Sequence, residues 1–208
     1  PVEFSYTLLS SGEVVKPETL ENQNYAAARQ TVEETSAPEE AAPVKEVAPV
    51  LNLQPHQTIL KDNQTGVSYR ALFADYLKGA SSITLQDPYI RMPHQFRNLL
   101  EFCLMLANNK NPEDELALEV VTWNEEDHMA TSMQLLDEIQ ENLADLGIAM
   151  TYRMEQHHDR FIAADNGWKI TLGRGLDIFE KYEGRFNVAS LDQTKRKCKA
   201  CELTYLRI

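Results

Sequence analysis

The residues most able to do chemistry stand together in one stretch, His157-His158-Asp159-Arg160-Phe161-Ile162-Ala163-Ala164-Asp165-Asn166-Gly167-Trp168. Within it, His158, Arg160 and Asp165 follow the order His-x-basic-x4-Asp. A histidine nucleophile with cations on the non-bridging oxygens is a workable arrangement for phosphoryl transfer. On a strand, positions 158 and 160 face the same side, because the side-chain period is two. Arg174 adds a second cation in Leu172-Gly173-Arg174-Gly175, where glycines let a backbone approach a ligand. The same residues also fit a structural role, in which Asp159 and Asp165 pair with Arg160 and Arg174 to fix a hairpin. A further stretch, Asp87-Pro88-Tyr89-Ile90-Arg91, falls where a strand is expected to end, the usual ligand edge of an α/β sheet. Asp87 and Arg91 are placed to pair with Arg174 and Asp177, to line a pocket with them, or simply to hold a rigid turn before a helix.

Other clusters carry weaker signals. Cys198-x2-Cys201 has no second cysteine pair and is crowded by Lys195, Arg196, Lys197 and Lys199, so no metal site and no cofactor is assigned. The basic run reads as a solvated strand edge that resists aggregation, with contact to acidic lipid or nucleic acid as the alternative.

These groups need a scaffold, and the pattern supplies one. Ser68 is a helix cap before Leu72, Phe73, Tyr76 and Leu77 on one face. Ile83 to Gln86 reads as a short strand. Pro93 or His94 begins a second helix with Phe96, Leu99, Leu100, Cys103 and Leu104 inward. Leu116 to Trp123 is nearly continuous in apolar residues, as in a central strand covered on both faces. A third helix is expected from about Met129 to Leu146, closed by Gly147 in a left-handed cap. Its acidic approach, Glu125 to Asp127, favours the helix dipole. Strands follow at Ile148–Met154, at Phe161–Ala164 and Trp168–Leu172 around the Asn166-Gly167 turn, and at Phe186–Ala189 and Cys198–Leu206. Strands alternating with helices and then a meander predict an α/β domain with a mixed sheet over residues 55–208.

The 208 residues allow one ordinary domain and a tail. Residues 16–54 read as a disordered linker: Glu33 to Pro49 is nearly all Glu, Ala, Pro and Val, with too little apolar surface to offset its ordering. Residues 1–15 alternate as a half-buried strand, read as the last strand of a truncated preceding domain, or as a tail strand docking on the main domain; the absence of an initiator Met fits a fragment or a processed chain. The net charge is −12, which argues against binding along nucleic-acid phosphates. Yet residues 112–147 alone carry −11, leaving the last third free to hold an anion site. Three cysteines point to a reducing compartment, and no signal-peptide pattern or membrane-length apolar run is present, so a cytoplasmic place is expected.

Three segments together resemble the phospholipase D-like C-terminal domain of MIT-domain-containing proteins. They are Thr65-Gly66-Val67-Ser68-Tyr69 through Leu72-Phe73 and Tyr76-Leu77; Asp87-Pro88-Tyr89-Ile90-Arg91 with Pro93-His94-Gln95 and Asn98 to Cys103; and His158-Asp159-Arg160 with Asn166-Gly167-Trp168 and Gly173-Arg174-Gly175-Leu176-Asp177. The resemblance implies a phospholipase D-like α/β fold, homodimerisation and, in animal relatives, peripheral binding to acidic membrane lipids. Those relatives also carry a three-helix MIT module, for which residues 1–54 are too short and too Pro-rich. Bacterial versions of the domain can follow a Lon-like ATPase or protease, and a strand and acidic linker are compatible with that layout. The active enzymes of this fold use His-x-Lys-x4-Asp twice. This chain has one copy, with Arg160 in place of Lys, and Gly173-Arg174-Gly175 in place of the usual Gly-Ser and Asn. The resemblance therefore implies a non-enzymatic domain that recognises a phosphate-bearing surface or a protein partner through Arg160, Asp165, Arg174, Asp87 and Arg91. The alternatives are a dimeric phosphodiesterase or nuclease with His158 as nucleophile, and a substrate-selecting or oligomerising appendage of a Lon-like protease.

Overall fold

The computed structural model describes residues 53–181 and 187–208, all within the unit spanning Pro49–Ile208. The expected strand at residues 1–15 and the linker up to residue 52 lie outside the described residues.

Seven strands form one mixed sheet: β1 (His56–Leu60), β2 (Ser82–Gln86), β3 (Leu116–Thr122), β4 (Ile148–Met154), β5 (Phe161–Ala164), β6 (Trp168–Leu172) and β7 (Cys201–Arg207). Their order is β1-β7-β6-β5-β2-β3-β4. β2, β3 and β4 are parallel, and the other pairings are antiparallel. Three helices connect them: α1 (Tyr69–Leu77), α2 (Pro93–Asn109) and α3 (Glu126–Ala144). The β2–α2–β3 and β3–α3–β4 crossovers step the same way across the sheet, and right-handed crossovers then place α2 and α3 on one face. α1 lies beside α2, where Asn109 Nδ2 donates to Ala74 O at 2.8 Å.

The core lies between these helices and the sheet. Ile83, Leu85, Leu118, Val120, Ile162 and Ile170 supply the sheet side, all within 1% of full burial. Burying each such side chain is worth about 1.5–3 kcal/mol. On the opposite face Ala117 is exposed and Glu119 half-buried, with Arg153 Nε donating to Glu119 Oε1 at 2.8 Å. The apolar run of β3 is thus covered on both faces only near its end, from Val120 to Thr122, and β3 stands second from the sheet edge rather than at its centre.

Ser68 caps α1 by accepting from Ala71 N, Pro93 opens α2, and Gly147 adopts φ +67 after α3. One strand was not expected, and two expectations change. His56–Leu60 is an edge strand whose period was hidden, because Ile59 points outward at 67% exposure while His56 and Thr58 flank Leu60 on the helix side. In place of a strand at Phe186–Ala189, Val188–Ser190 is a short 3₁₀ turn capped by the Asn187 side chain, and Phe186 lies outside the described residues. The final strand begins at Cys201, with Cys198 forming only an isolated bridge to Phe179.

Candidate functional site

The carboxyl ends of β2, β3, β4 and β6 lie along one edge of the sheet, together with the starts of β5 and β7 and the first turn of α2. This is the edge where α/β sheets carry ligands. Asp87, one residue beyond β2, is only 3% exposed. Its carboxylate accepts from Tyr89 N at 3.1 Å and from Leu176 N at 2.9 Å. Burial is the main cause that raises its pKa to about 6, against the backbone donors and the nearby Arg160, which favour the charged form. Gly175 sits against it with φ +63, and a Cβ there would lie 1.9 Å from Asp87 Oδ2. The turn after β6 is therefore docked onto the end of β2. The buried Tyr69 hydroxyl fixes the same turn by donating to Leu176 O at 2.5 Å.

Tyr89 is the hub of the exposed side. The Arg160 guanidinium lies 4.7 Å and the Arg91 guanidinium 5.3 Å from its ring centroid, both within cation–π range. The two arginines differ in what else they hold. Arg91 Nε donates to Pro88 O and Trp123 O, and Nη1 pairs with Glu125 at 3.4 Å. Arg160 is anchored by its backbone, whose carbonyl accepts from Leu172 N at 2.8 Å. Among the described residues, neither the Arg160 nor the Arg174 guanidinium has a hydrogen-bonded or ion-paired partner, and Arg174 is exposed. The Leu172–Arg160 bond brings the loops bearing both cations to one corner of the sheet.

His158 is exposed at the same end, but residues 155–160 form a loop, so strand alternation does not set its direction relative to Arg160. Its ring makes no hydrogen bond among the described residues, whereas His157 Nε2 lies 3.1 Å from Glu155 Oε2.

Asp165 is at the other end of the sheet. Ser81 N donates to its carboxylate at 3.0 Å and Ser81 Oγ at 2.5 Å, and these bonds hold its pKa below the usual range. β5 lies between it and Arg160, five extended residue steps or about 17 Å away. The structure thus brings Asp87, Arg91, Arg160 and Arg174 to one edge and leaves Asp165 out. None of the ion pairs considered from sequence forms: Arg91 takes Glu125, while Asp177 takes Lys199 at 3.0 Å and lies 3.7 Å from His94 Nε2. The Lys195–Lys199 run is not a uniformly solvated edge either. Arg196 is 4% exposed, and its guanidinium makes a bidentate pair with Glu101 at 2.6 and 2.7 Å.

A cavity of about 540 Å³ opens beside the first turns of α2, lined by Met92, Pro93, His94, Asn98, Phe179 and Lys181, among others. Burial is the main cause that lowers the His94 pKa, and Nδ1 is buried without a partner among the described residues. Sequence reasoning did not find this cavity. The i, i+4 spacing of His94 and Asn98 was available, but the return of Phe179 to Lys181 across α2 is a tertiary fact. Tyr89 was quoted only as part of a motif; its position between two arginines was the missed signal.

The family description "Phospholipase D-like domain at C-terminus of MIT" matches residues 66–207. The mouse protein named MIT domain-containing protein 1 is 37% identical over 145 residues, covering 68% of this chain. The chain spans 57% of that relative's length. Among solved structures, a phospholipase D family member, Nuc from Salmonella typhimurium, aligns with a TM-score of 0.40 and 15% identity, over 74% of this chain and 84% of that one. With its family match running from just before α1 through β7 and containing both the Asp87–Arg91 and the His158–Asp177 segments, the chain belongs to the family of phospholipase D-like domains found at the C-terminus of MIT proteins.

Proposed function

We propose that this domain is a non-enzymatic recognition module that holds phosphate groups of an acidic lipid surface at the corner formed by Arg160 and Arg174. The observation that carries the reading is two guanidinium groups with no ion pair or hydrogen bond to an acid among the described residues, on loops that Asp87 and Leu172 fix at one edge of the sheet. Arginine matches phosphate bidentately, and each well-formed charge-assisted bond is worth about 1.5–3 kcal/mol. Tyr89 orients one of the two cations and is itself 40% exposed, ready to sit at a headgroup boundary. No helix among the described residues is long and apolar enough to cross a membrane, so contact of this kind is peripheral.

Catalysis would place different demands on the same corner. A histidine nucleophile needs a partner that orients its ring, and His158 has none among the described residues. The resemblance also requires a second copy of the motif, which only a twofold dimer would supply. A homodimer is part of the proposal as a route to two lipid-binding corners on one particle, which raises avidity without new contacts. The test is a paired assay of vesicle binding and phosphodiester hydrolysis on the wild type, Arg174→Ala and His158→Ala. Binding should fall about tenfold in Arg174→Ala and stay within about twofold in His158→Ala, with no turnover in any protein. Turnover that disappears with His158 would replace this reading with the dimeric phosphodiesterase. Binding of proteins but not of vesicles would favour the appendage of a protease.

A further inference from the structure

The sheet ends on β4, which pairs with β3 on one side and with no strand on the other among the described residues. Gly147 O accepts from Leu116 N and Glu155 N donates to Thr122 O, so the odd-numbered residues of β4 turn their backbone groups toward β3. Strand alternation then turns the N–H and C=O groups of Ile148, Met150, Tyr152 and Met154 outward, a ladder about 20 Å long. Such an edge is usually blunted by proline, lysine, a bulge or shortness. β4 has seven residues with neither proline nor lysine, and it pairs with β3 in unbroken register. Its one charged side chain, Arg153, lies on the open face of the sheet and is tied down by Glu119 and Glu155. Helix α3 overlooks this edge. The Tyr152 hydroxyl donates to Asp137 Oδ1 at 2.6 Å, which places over β4 the face of α3 that carries Asp137 and, at four-residue steps before it, Met133 and Met129. Met133 is 40% exposed, and Met129 and Met154 are half-buried. Methionine is flexible and polarizable and packs against apolar side chains of varied shape. The same helix carries Glu126, Asp127, Asp137, Glu138 and Glu141, and no lysine or arginine.

We propose that the outer edge of β4 binds an extended basic peptide of a partner protein as an added strand, with apolar side chains at every second position. The outward backbone groups decide the form of the ligand, because another extended chain offers N–H and C=O groups at the matching spacing. A strand laid there sends alternate side chains under α3, beside Met133, Tyr152 and Met154, and the others to the open face beside Ala149 and Thr151. The first set is therefore apolar. The acids of α3 select lysine or arginine in the rest of the peptide and speed the encounter. The same charge disfavours a second copy of this chain, whose β4 would bring an identical acidic helix alongside. Neither Arg160 nor Arg174 belongs to β4 or α3, so the site is separate from the arginine corner.

The test uses the full chain and an immobilised positional library of N-acetylated, C-amidated octapeptides. The expected result is enrichment of Leu, Ile, Val or Phe at alternate positions together with Lys or Arg. N-methylation of the best enriched peptide at alternate residues should weaken binding about tenfold or more in one phase and less than about twofold in the other, because an added strand turns only every second N–H toward its neighbour. Amide hydrogen exchange in the complex should slow at Ile148, Met150, Tyr152 and Met154. Met133→Lys should weaken binding about fivefold or more, while Arg174→Ala leaves it unchanged. The N-methyl series needs no variant and keeps the test decisive should Met133→Lys fail to fold. No enrichment, or equal losses in both N-methyl phases, would overturn the proposal. So would slow exchange at those four amides before any peptide is added; protection that grows with protein concentration would assign the edge to a second copy of the chain.

Discussion

Replacing Gly175 with alanine tests whether the corner is built as described. The residue has φ +63, a left-handed conformation that costs an L-residue about 1–2 kcal/mol. Crowding costs more than the backbone angle. The new methyl would lie 1.9 Å from Asp87 Oδ2 and 2.4 Å from Asp87 Cγ, and Asp87 is buried, so neither group can move aside freely. The relief available is to push the 173–177 turn outward, which breaks the bond from Leu176 N to Asp87. A hydrogen bond to a charged group is worth about 1.5–3 kcal/mol. The expected total is about 3–5 kcal/mol, a large part of a stability that is usually about 5–15 kcal/mol. Gly79 supplies the control: its φ is +75, but a Cβ there meets nothing within 4 Å, so Gly79→Ala should cost only about 1–2 kcal/mol. The assay is urea unfolding of both variants beside the wild type, followed by vesicle binding of whatever folds. Equal losses of about 1 kcal/mol in the two variants would refute the claim that Asp87 rigidly seats the arginine-bearing turn.

Other consequences follow from the buried charges. Arg196→Met leaves Glu101 without its bidentate partner and should cost about 3–5 kcal/mol, whereas Arg196→Met combined with Glu101→Leu should cost less than that single change; a double-mutant cycle with no coupling would contradict the pairing. Asp87 keeps its proton up to about pH 6 when folded, against 3.8 when unfolded, so the native state binds the extra proton between those values. Its contribution to stability therefore rises as pH falls from about 7 to about 3, by about 3 kcal/mol at most, and urea midpoints of wild type against Asp87→Asn should diverge in the wild type's favour over that window; a constant difference would show that the carboxylate is solvated. Lys110 Nζ donates to the carbonyls of Asn111 and Asp114, at 3.2 and 2.7 Å, closing the loop before β3. Lys110→Met should lower stability by about 1–2 kcal/mol without changing vesicle binding, measured by thermal unfolding, because this loop is at the far end of the sheet.

Most of the scaffold was legible because its elements carry strong local signals. The Ser68 cap, the Pro93 start, the Asn166-Gly167 turn and the alternation of Phe161–Ala164 and Trp168–Leu172 each act within a few residues. β1 was not legible, since an edge strand with Ile59 outward reverses the usual pattern. The site was legible only as a set of names. Asp87, Arg91, Arg160 and Arg174 do gather at one edge, because the parallel order of β2, β3 and β4 and the antiparallel β5–β6 hairpin return their ends there. The pairings were not legible, since Arg91 with Glu125, Asp177 with Lys199 and Asp165 with Ser81 all depend on which loops meet across the sheet. Asp165 was misjudged for a geometrical reason: four extended residues carry it to the opposite end. Arg196 looked like part of a surface run because nothing in sequence distinguishes a lysine-flanked exposed arginine from one turned inward onto a glutamate 95 positions earlier.

The central claim is that Arg160 and Arg174 together form an anion-binding corner. The most direct measurement is the affinity of the wild type, each alanine variant and the double variant for vesicles carrying increasing fractions of phosphatidylserine, at fixed salt. Two cations acting on one surface predict a loss of about tenfold in each single variant and about a hundredfold or more in the double variant, with unfolding midpoints unchanged. A double variant that binds acidic vesicles as well as the wild type would contradict the account.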